Sequence, residues 1–126
     1  MKKTILFLVT ILFFNSTNAQ EQNENYYNLA KGNVKEVGEI DKNGFPIGEW
    51  KYYVESGALD YTINWDTNFS TTYYLTGGIK EKGTFIPDTG VHIGEWISYN
   101  KNGEIITKIT YDKNDNLISD KHTQKE

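Results

Sequence analysis

Ile47-Gly48-Glu49-Trp50-Lys51-Tyr52-Tyr53 returns 46 residues later as Ile93-Gly94-Glu95-Trp96-Ile97-Ser98-Tyr99. Beyond the shared Ile-Gly-Glu-Trp the match continues, with Tyr53 against Tyr99, Gly57 against Gly103 and Ile63 against Ile109. A second pair lies upstream: Val34-Lys35-Glu36-Val37-Gly38-Glu39-Ile40 recurs 45 residues on as Ile79-Lys80-Glu81-Lys82-Gly83-Thr84-Phe85. The change of offset from 45 to 46 requires one extra residue in the second copy, placed within 87–90. A turn is where an insertion disturbs no ladder register. Two long copies follow, about 26–65 and 73–111, each holding two units of roughly 20 to 25 residues, the size of a solenoid element.

Local pattern assigns these units to strands. Leu59, Tyr61, Ile63 and Trp65 occupy every second position, as do Ile105, Thr107, Ile109 and Tyr111, the period of a strand with one buried face. After residue 20 no segment carries a helical period. Asn43-Gly44, Ser56-Gly57, Gly77-Gly78, Asn102-Gly103 and Asp115-Asn116 are pairs that tolerate the positive φ of tight hairpins. The expectation is an all-β meander of seven or eight short strands joined by hairpins. Within the Ile47 strand, Trp50, Tyr52 and Val54 share one face and Tyr53 points to the other. Gly48 and Gly94 stand two positions before the tryptophans, where a missing side chain is expected to let an aromatic ring lie across the strand.

Outside the repeats the chain is different in kind. Lys2 and Lys3 precede an almost wholly apolar run over 5–14, and Thr17-Asn18-Ala19 suits signal peptidase; residues 1–19 therefore read as a signal peptide. The run is shorter than the roughly 20 residues of a spanning helix, so no integral membrane segment is expected after cleavage. Residues 20–25 are polar and read as a flexible lead-in, 26–118 as the repeat domain, and 119–126 as a polar tail. Without Lys2 and Lys3 the formal charge moves from −4 to −6. The chain has no arginine, the residue best suited to bidentate phosphate contacts, and an acidic balance opposes nucleic acid and anionic membranes as partners. The absence of cysteine removes disulfides, thiolate chemistry and a lipidated cysteine. The expected location is the periplasm or the outside of a bacterial cell.

The run Gly48-Glu49-Trp50-Lys51-Tyr52-Tyr53 followed by Gly57, and Gly94-Glu95-Trp96-Ile97-Ser98-Tyr99 followed by Asn102-Gly103, resembles the bacterial variant of the membrane occupation and recognition nexus (MORN) repeat. Tyr73-Tyr74, Gly78 and the Ile79 run resemble the same repeat without its tryptophan, and Tyr26-Tyr27 with 32–40 is a weaker match. The repeat-defining positions are then Gly48, Trp50, Gly57, Gly78, Gly94, Trp96 and Gly103. The resemblance implies successive β-hairpins stacked into an elongated, twisted antiparallel sheet. Some bacterial members are described as antitoxin components, so it also implies a toxin-neutralising role as one alternative.

Catalytic chemistry finds no support in the residues. His92 stands where the first copy has Pro46 and reads as a turn residue; His122 lies in the polar tail. Glu49 and Glu95 invite comparison with a glycosidase pair, but as equivalent repeat positions they read as recurring strand residues. Asp112-Lys113-Asn114-Asp115-Asn116 begins like a calcium loop yet has Leu117 at the sixth position and Thr123 at the twelfth, where glycine and glutamate are needed. No cofactor, metal site or catalytic residue is expected, and the chain reads as a non-enzyme. Two roles follow: a module binding a protein or peptide partner in the envelope through its aromatic sheet, with Tyr53, Tyr99, Trp65 and Tyr111 as contact residues, or a structural spacer that self-associates through its ends.

Overall fold

A computed structural model describes residues 21–26, 33–114 and 116–122; the segment 1–19, read above as a signal peptide, lies outside them. Nine strands run in chain order: β1 (Glu21–Tyr26), β2 (Val34–Ile40), β3 (Pro46–Tyr53), β4 (Leu59–Asn64), β5 (Phe69–Tyr73), β6 (Ile79–Phe85), β7 (His92–Tyr99), β8 (Ile105–Tyr111) and β9 (Leu117–His122). They form one antiparallel sheet in the order β1 to β9 without a crossover. Each strand contacts only its neighbours in sequence, so the sheet is an open meander of tandem hairpins and not a barrel.

The hairpins reuse one turn. At 41–45, 54–58, 74–78 and 100–104 the first residue donates its N–H to the carbonyl of the fifth, and the fourth, a glycine, donates back to the first. Gly44, Gly57, Gly77 and Gly103 all have positive φ there, which glycine adopts without a Cβ penalty. Asp41 and Asn100 add side-chain anchors by accepting from the backbone N–H groups two and four residues on. Asp112 does the same for Asn114 and Asn116, so its carboxylate helps to close a hairpin. The turn between β6 and β7 is one residue longer than that between β2 and β3, which places the extra residue of the second copy where the change of offset required it.

Cross-strand register separates two faces. One row reads Asn25, Glu36, Tyr52, Tyr61, Thr72, Glu81, Ser98, Thr107, His122 across the nine strands. Beside it on the same face Trp50, Ile63 and Ser70 are in register, and so are Trp96, Ile109 and Asp120. The other face carries Glu24, Val37, Lys51, Thr62, Thr71, Lys82, Ile97, Lys108 and Lys121 in one row. The sheet is thus amphipathic, with aromatic rings on one side and lysine and threonine on the other.

Trp50 and Trp96 are the buried apolar residues of the described core, at 6% and 7% exposure. A single layer buries them because each ring lies flat on a glycine of the preceding strand. A Cβ built on Gly38 would sit 2.3 Å from the Trp50 ring, and one on Gly83 2.3 Å from the Trp96 ring. Each indole N–H then reaches a carbonyl of that same strand, Trp50 to Glu39 O at 2.9 Å and Trp96 to Thr84 O at 2.8 Å. The glycines expected to receive the rings, Gly48 and Gly94, do something else. Both have positive φ, +63° and +66°, with no atom near a would-be Cβ; they sit at β-bulges where the register of β3 and β7 against the preceding strand shifts. The close approach belongs to Gly38 and Gly83, which lie 12 and 13 residues before their tryptophans and meet them only through strand pairing.

Two further expectations change. Residues 21–25, read as part of a flexible lead-in, belong to strand β1 against β2, and 119–122 of the segment read as a polar tail belong to strand β9 against β8. Neither carries a period of two, and both are held by ladder hydrogen bonds to a patterned neighbour. The strand count among the described residues is accordingly nine. Among the described residues no helix is long and apolar enough to cross a membrane.

Candidate functional site

The two copies fill the aromatic face differently. In the first, Trp50, Tyr52 and Tyr61 form a stack, with Tyr52 and Tyr61 centroids 4.4 Å apart at 13° and Trp50 and Tyr52 at 6.3 Å and 30°. Burial raises the Tyr52 phenol from its ordinary pKa, against a smaller downward pull from the Trp65 indole N–H beside it. That N–H falls short of hydrogen-bonding geometry, which leaves Trp65 Nε1 buried without a partner. In the second copy the positions of Tyr52 and Tyr61 are Ser98 and Thr107, in register with each other. Small side chains there leave the second tryptophan without an aromatic stack on that side.

His92 takes the other side of Trp96. Its ring stacks on the indole at 3.7 Å and 17°, and Tyr111 meets it edge-on at 5.6 Å. His92 is the first residue of β7, paired with Phe85, rather than a turn residue. Phe85 in turn meets Trp65 edge-on at 6.1 Å. The longer turn passes alongside, with Ile86 donating to Val91 O at 2.8 Å and Gly90, at φ +71°, donating to Ile86 O at 2.7 Å.

Between the turn and the rings the surface is hollow. A cleft of about 420 Å³ is lined by Thr89, Gly90, Val91, His92 and Tyr111. A second, of about 180 Å³, is lined by Ile63, Ser70, Phe85, Gly90, His92 and Trp96. Gly90 and His92 belong to both, so the two make one groove on the aromatic face with the His92 ring at its centre. The groove lies beside the longer turn of the second copy, whose Gly90 lines both clefts.

The four expected contact residues divide into two pairs. Trp65 and Tyr111 come to the same end of the same face: Trp65 donates its backbone N–H to Gly48 O at 2.9 Å and packs on Phe85, and Tyr111 pairs with Gly94 and lines the groove. Tyr53 and Tyr99 end β3 and β7 at the opposite end of the strands. Tyr99 lies under Lys82 Nζ, 5.6 Å from its ring centroid, on the lysine face. The groove's other members, Phe85, His92 and Ser70, escaped the sequence pattern. The one signal for them was the inserted residue, because a turn that differs between copies marks where the copies differ in shape.

Chemically the groove offers flat rings, one imidazole already committed to stacking, and the Ser70 hydroxyl. Such a surface binds apolar or aromatic groups by stacking. Glu49 and Glu95 are exposed on β3 and β7, four strands apart; at about 4.8 Å per strand they are separated by roughly 19 Å, beyond the spacing of a glycosidase pair. No group of three metal-ligating side chains occurs among the described residues. The chain matches no family model, no curated protein and no solved structure, and the resemblance to the MORN repeat rests on its motif residues alone.

Proposed function

We propose that this is an exported, non-enzymatic binding protein that holds a protein or peptide partner in the groove of its aromatic face. The observation that carries the reading is the groove around His92, walled by Phe85, Trp96 and Tyr111 and built where the second repeat departs from the first. A sheet that needed its aromatic face only for stability would repeat the Trp50-Tyr52-Tyr61 stack in both copies. In the second copy Ser98 and Thr107 hold the places of Tyr52 and Tyr61, and the half-buried Phe85, His92 and Tyr111 line the groove, in the manner of pockets that receive an anchoring side chain. The signal-peptide pattern of residues 1–19 supports a partner in the bacterial envelope or outside the cell.

Selection of a displayed random-peptide library on the folded protein tests this, with heat-unfolded protein and a Tyr111→Ala variant as counter-targets. Peptides bearing an aromatic or branched apolar anchor, bound by the folded protein and weakened at least tenfold by Tyr111→Ala, are the expected result. Enrichment of no peptide over the unfolded control, or of peptides indifferent to Tyr111→Ala and sensitive to Tyr53→Ala or Tyr99→Ala, would move binding off the groove.

A further inference from the structure

The two edges of the sheet are not alike, and the repeat explains how they fit. Ser70 of β5 pairs with Gly83 of β6, as Asn23 of β1 pairs with Gly38 of β2. Ile63 of β4 pairs with Ser70, as Ile109 of β8 pairs with Asp120 of β9. Strands β1, β5 and β9 therefore occupy the same place in a four-strand repeat. In the middle of the array that place is paired on both sides, by β4 and β6. Among the described strands β9 has its β4-like neighbour and no β6-like one; the β2 strand is β6-like, and its first-place partner is β1.

β1 is a weak occupant of that seat. Its sequence, Glu-Gln-Asn-Glu-Asn-Tyr, has one residue with an apolar body, and among the described strands it pairs with β2 alone. Its Glu24 lies opposite Val37, diagonal to Glu39, with like charge on one face. The repeat equivalence puts Lys121 of β9 where Glu24 stands, Ser119 where Gln22 stands, and Ile118 where Glu21 stands. In the seat, Lys121 lies diagonal to Glu39 and replaces repulsion with attraction, while Ile118 lies opposite Ile40 and makes an apolar pair. In the free chain that isoleucine is 64% exposed, and Leu117 beside it 58%, on an edge of the kind that soluble proteins normally blunt with charge.

We propose that β9 of one copy takes the seat of β1 on β2 of a second copy, so that the chain associates head to tail with itself through exchanged edge strands. Because eight strands separate equivalent places, the junction keeps the antiparallel order and keeps both faces continuous, aromatic with aromatic and lysine with lysine. Strand exchange conserves the ladder hydrogen bonds, one edge strand replacing another, which leaves the side-chain differences to set the balance. A contact between two different edges does not close on itself by a two-fold axis, so association runs to a series of sizes. This inference concerns the ends of the sheet and is independent of the groove.

The absence of cysteine makes cross-linking a direct test. Full-chain Glu39→Cys and Ser119→Cys variants, recovered after expression and mixed under oxidising conditions, are expected to form a disulfide-linked heterodimer at several times the yield of either variant alone. Within one copy these positions lie on β2 and β9, at opposite margins of the sheet. Sedimentation of the unmodified protein is expected to show a concentration-dependent series of masses. Ile118→Lys, at an exposed site where circular dichroism should show the fold unchanged, is expected to shift that series about tenfold in concentration, and Glu24→Pro, which loosens β1, to promote it. A single monomer mass up to millimolar concentration, heterodimer yield no greater than the single-variant controls, or predominant Ser119→Cys self-linking would overturn the proposal.

Discussion

Gly83→Ala places a methyl group where the Trp96 ring now lies. The added Cβ would stand 2.3 Å from Trp96 Cδ2 against an ordinary contact of 3.4 Å or more, and both the strand and the ring are rigid, so the indole must lift by about 1 Å. Over-packing of this kind costs about 1–3 kcal/mol. The lifted indole also forfeits its bond to Thr84 O, worth about 1 kcal/mol. Alanine returns about 0.4–1 kcal/mol by restricting the unfolded chain. The net loss is about 2 kcal/mol, a fall in Tm of roughly 10 °C for a domain of this size. Urea melts of Gly83→Ala, Trp96→Leu and the double variant isolate the cause. With the indole gone the methyl group has room, so Gly83→Ala should cost under about 0.5 kcal/mol there, a coupling of at least about 1.5 kcal/mol. Gly94→Ala is the contrast: its cost, about 1–2 kcal/mol from a side chain forced to positive φ, should be the same with or without Trp96. A Gly83→Ala loss that persists undiminished in Trp96→Leu would refute the ring-on-glycine account, as would coupling of Gly94 rather than Gly83 to Trp96.

Trp65→Phe removes a buried N–H that has no partner and should change stability by less than about 1 kcal/mol, whereas Trp50→Phe loses the bond to Glu39 O and should cost about 1–2 kcal/mol by the same urea melts. Asp112 has its pKa lowered, first by the hydrogen bond from the Asn116 side chain and then by the backbone N–H groups of Asn116 and Asn114. A carboxylate depressed on folding stabilises above its unfolded pKa and loses that contribution as pH falls through its folded one; the gap between wild type and Asp112→Ala should therefore be full at neutral pH and close below the usual carboxylate range, read from melts across that span. Tyr52, raised by burial, should ionise above the ordinary phenol pKa, read as the component of a spectrophotometric titration that Tyr52→Phe removes, its stabilising contribution complete below the ordinary phenol pKa and lost as alkali passes the raised one. Deleting Thr89, which shortens the turn to the length found in the first copy, should leave strand content unchanged by circular dichroism and abolish binding of peptides selected on the groove.

Much of this architecture is local and so was legible in the chain. The period of two in 59–63 and 105–111 reports a strand's own geometry, the Asn-Gly and Ser-Gly pairs report φ at single residues, and the change of offset from 45 to 46 located the longer turn without coordinates. The strands β1 and β9 were not legible, because a polar segment becomes a strand when a patterned neighbour offers it a ladder, and its own sequence says little about that. For the same reason the glycines beneath Trp50 and Trp96 were assigned by proximity in sequence, to Gly48 and Gly94, when register assigns them to Gly38 and Gly83. The groove is a further step removed. It depends on His92 stacking on Trp96 and on the longer turn lying beside them, and its lining is drawn from that turn and from five strands. By itself the sequence determined the repeat, the class of structure and the places of the turns, since these are properties of neighbouring residues. Only the tertiary structure decided which rings lie on which strand, which edges stand open and where the face is hollow, since those follow from register between segments that the chain keeps apart.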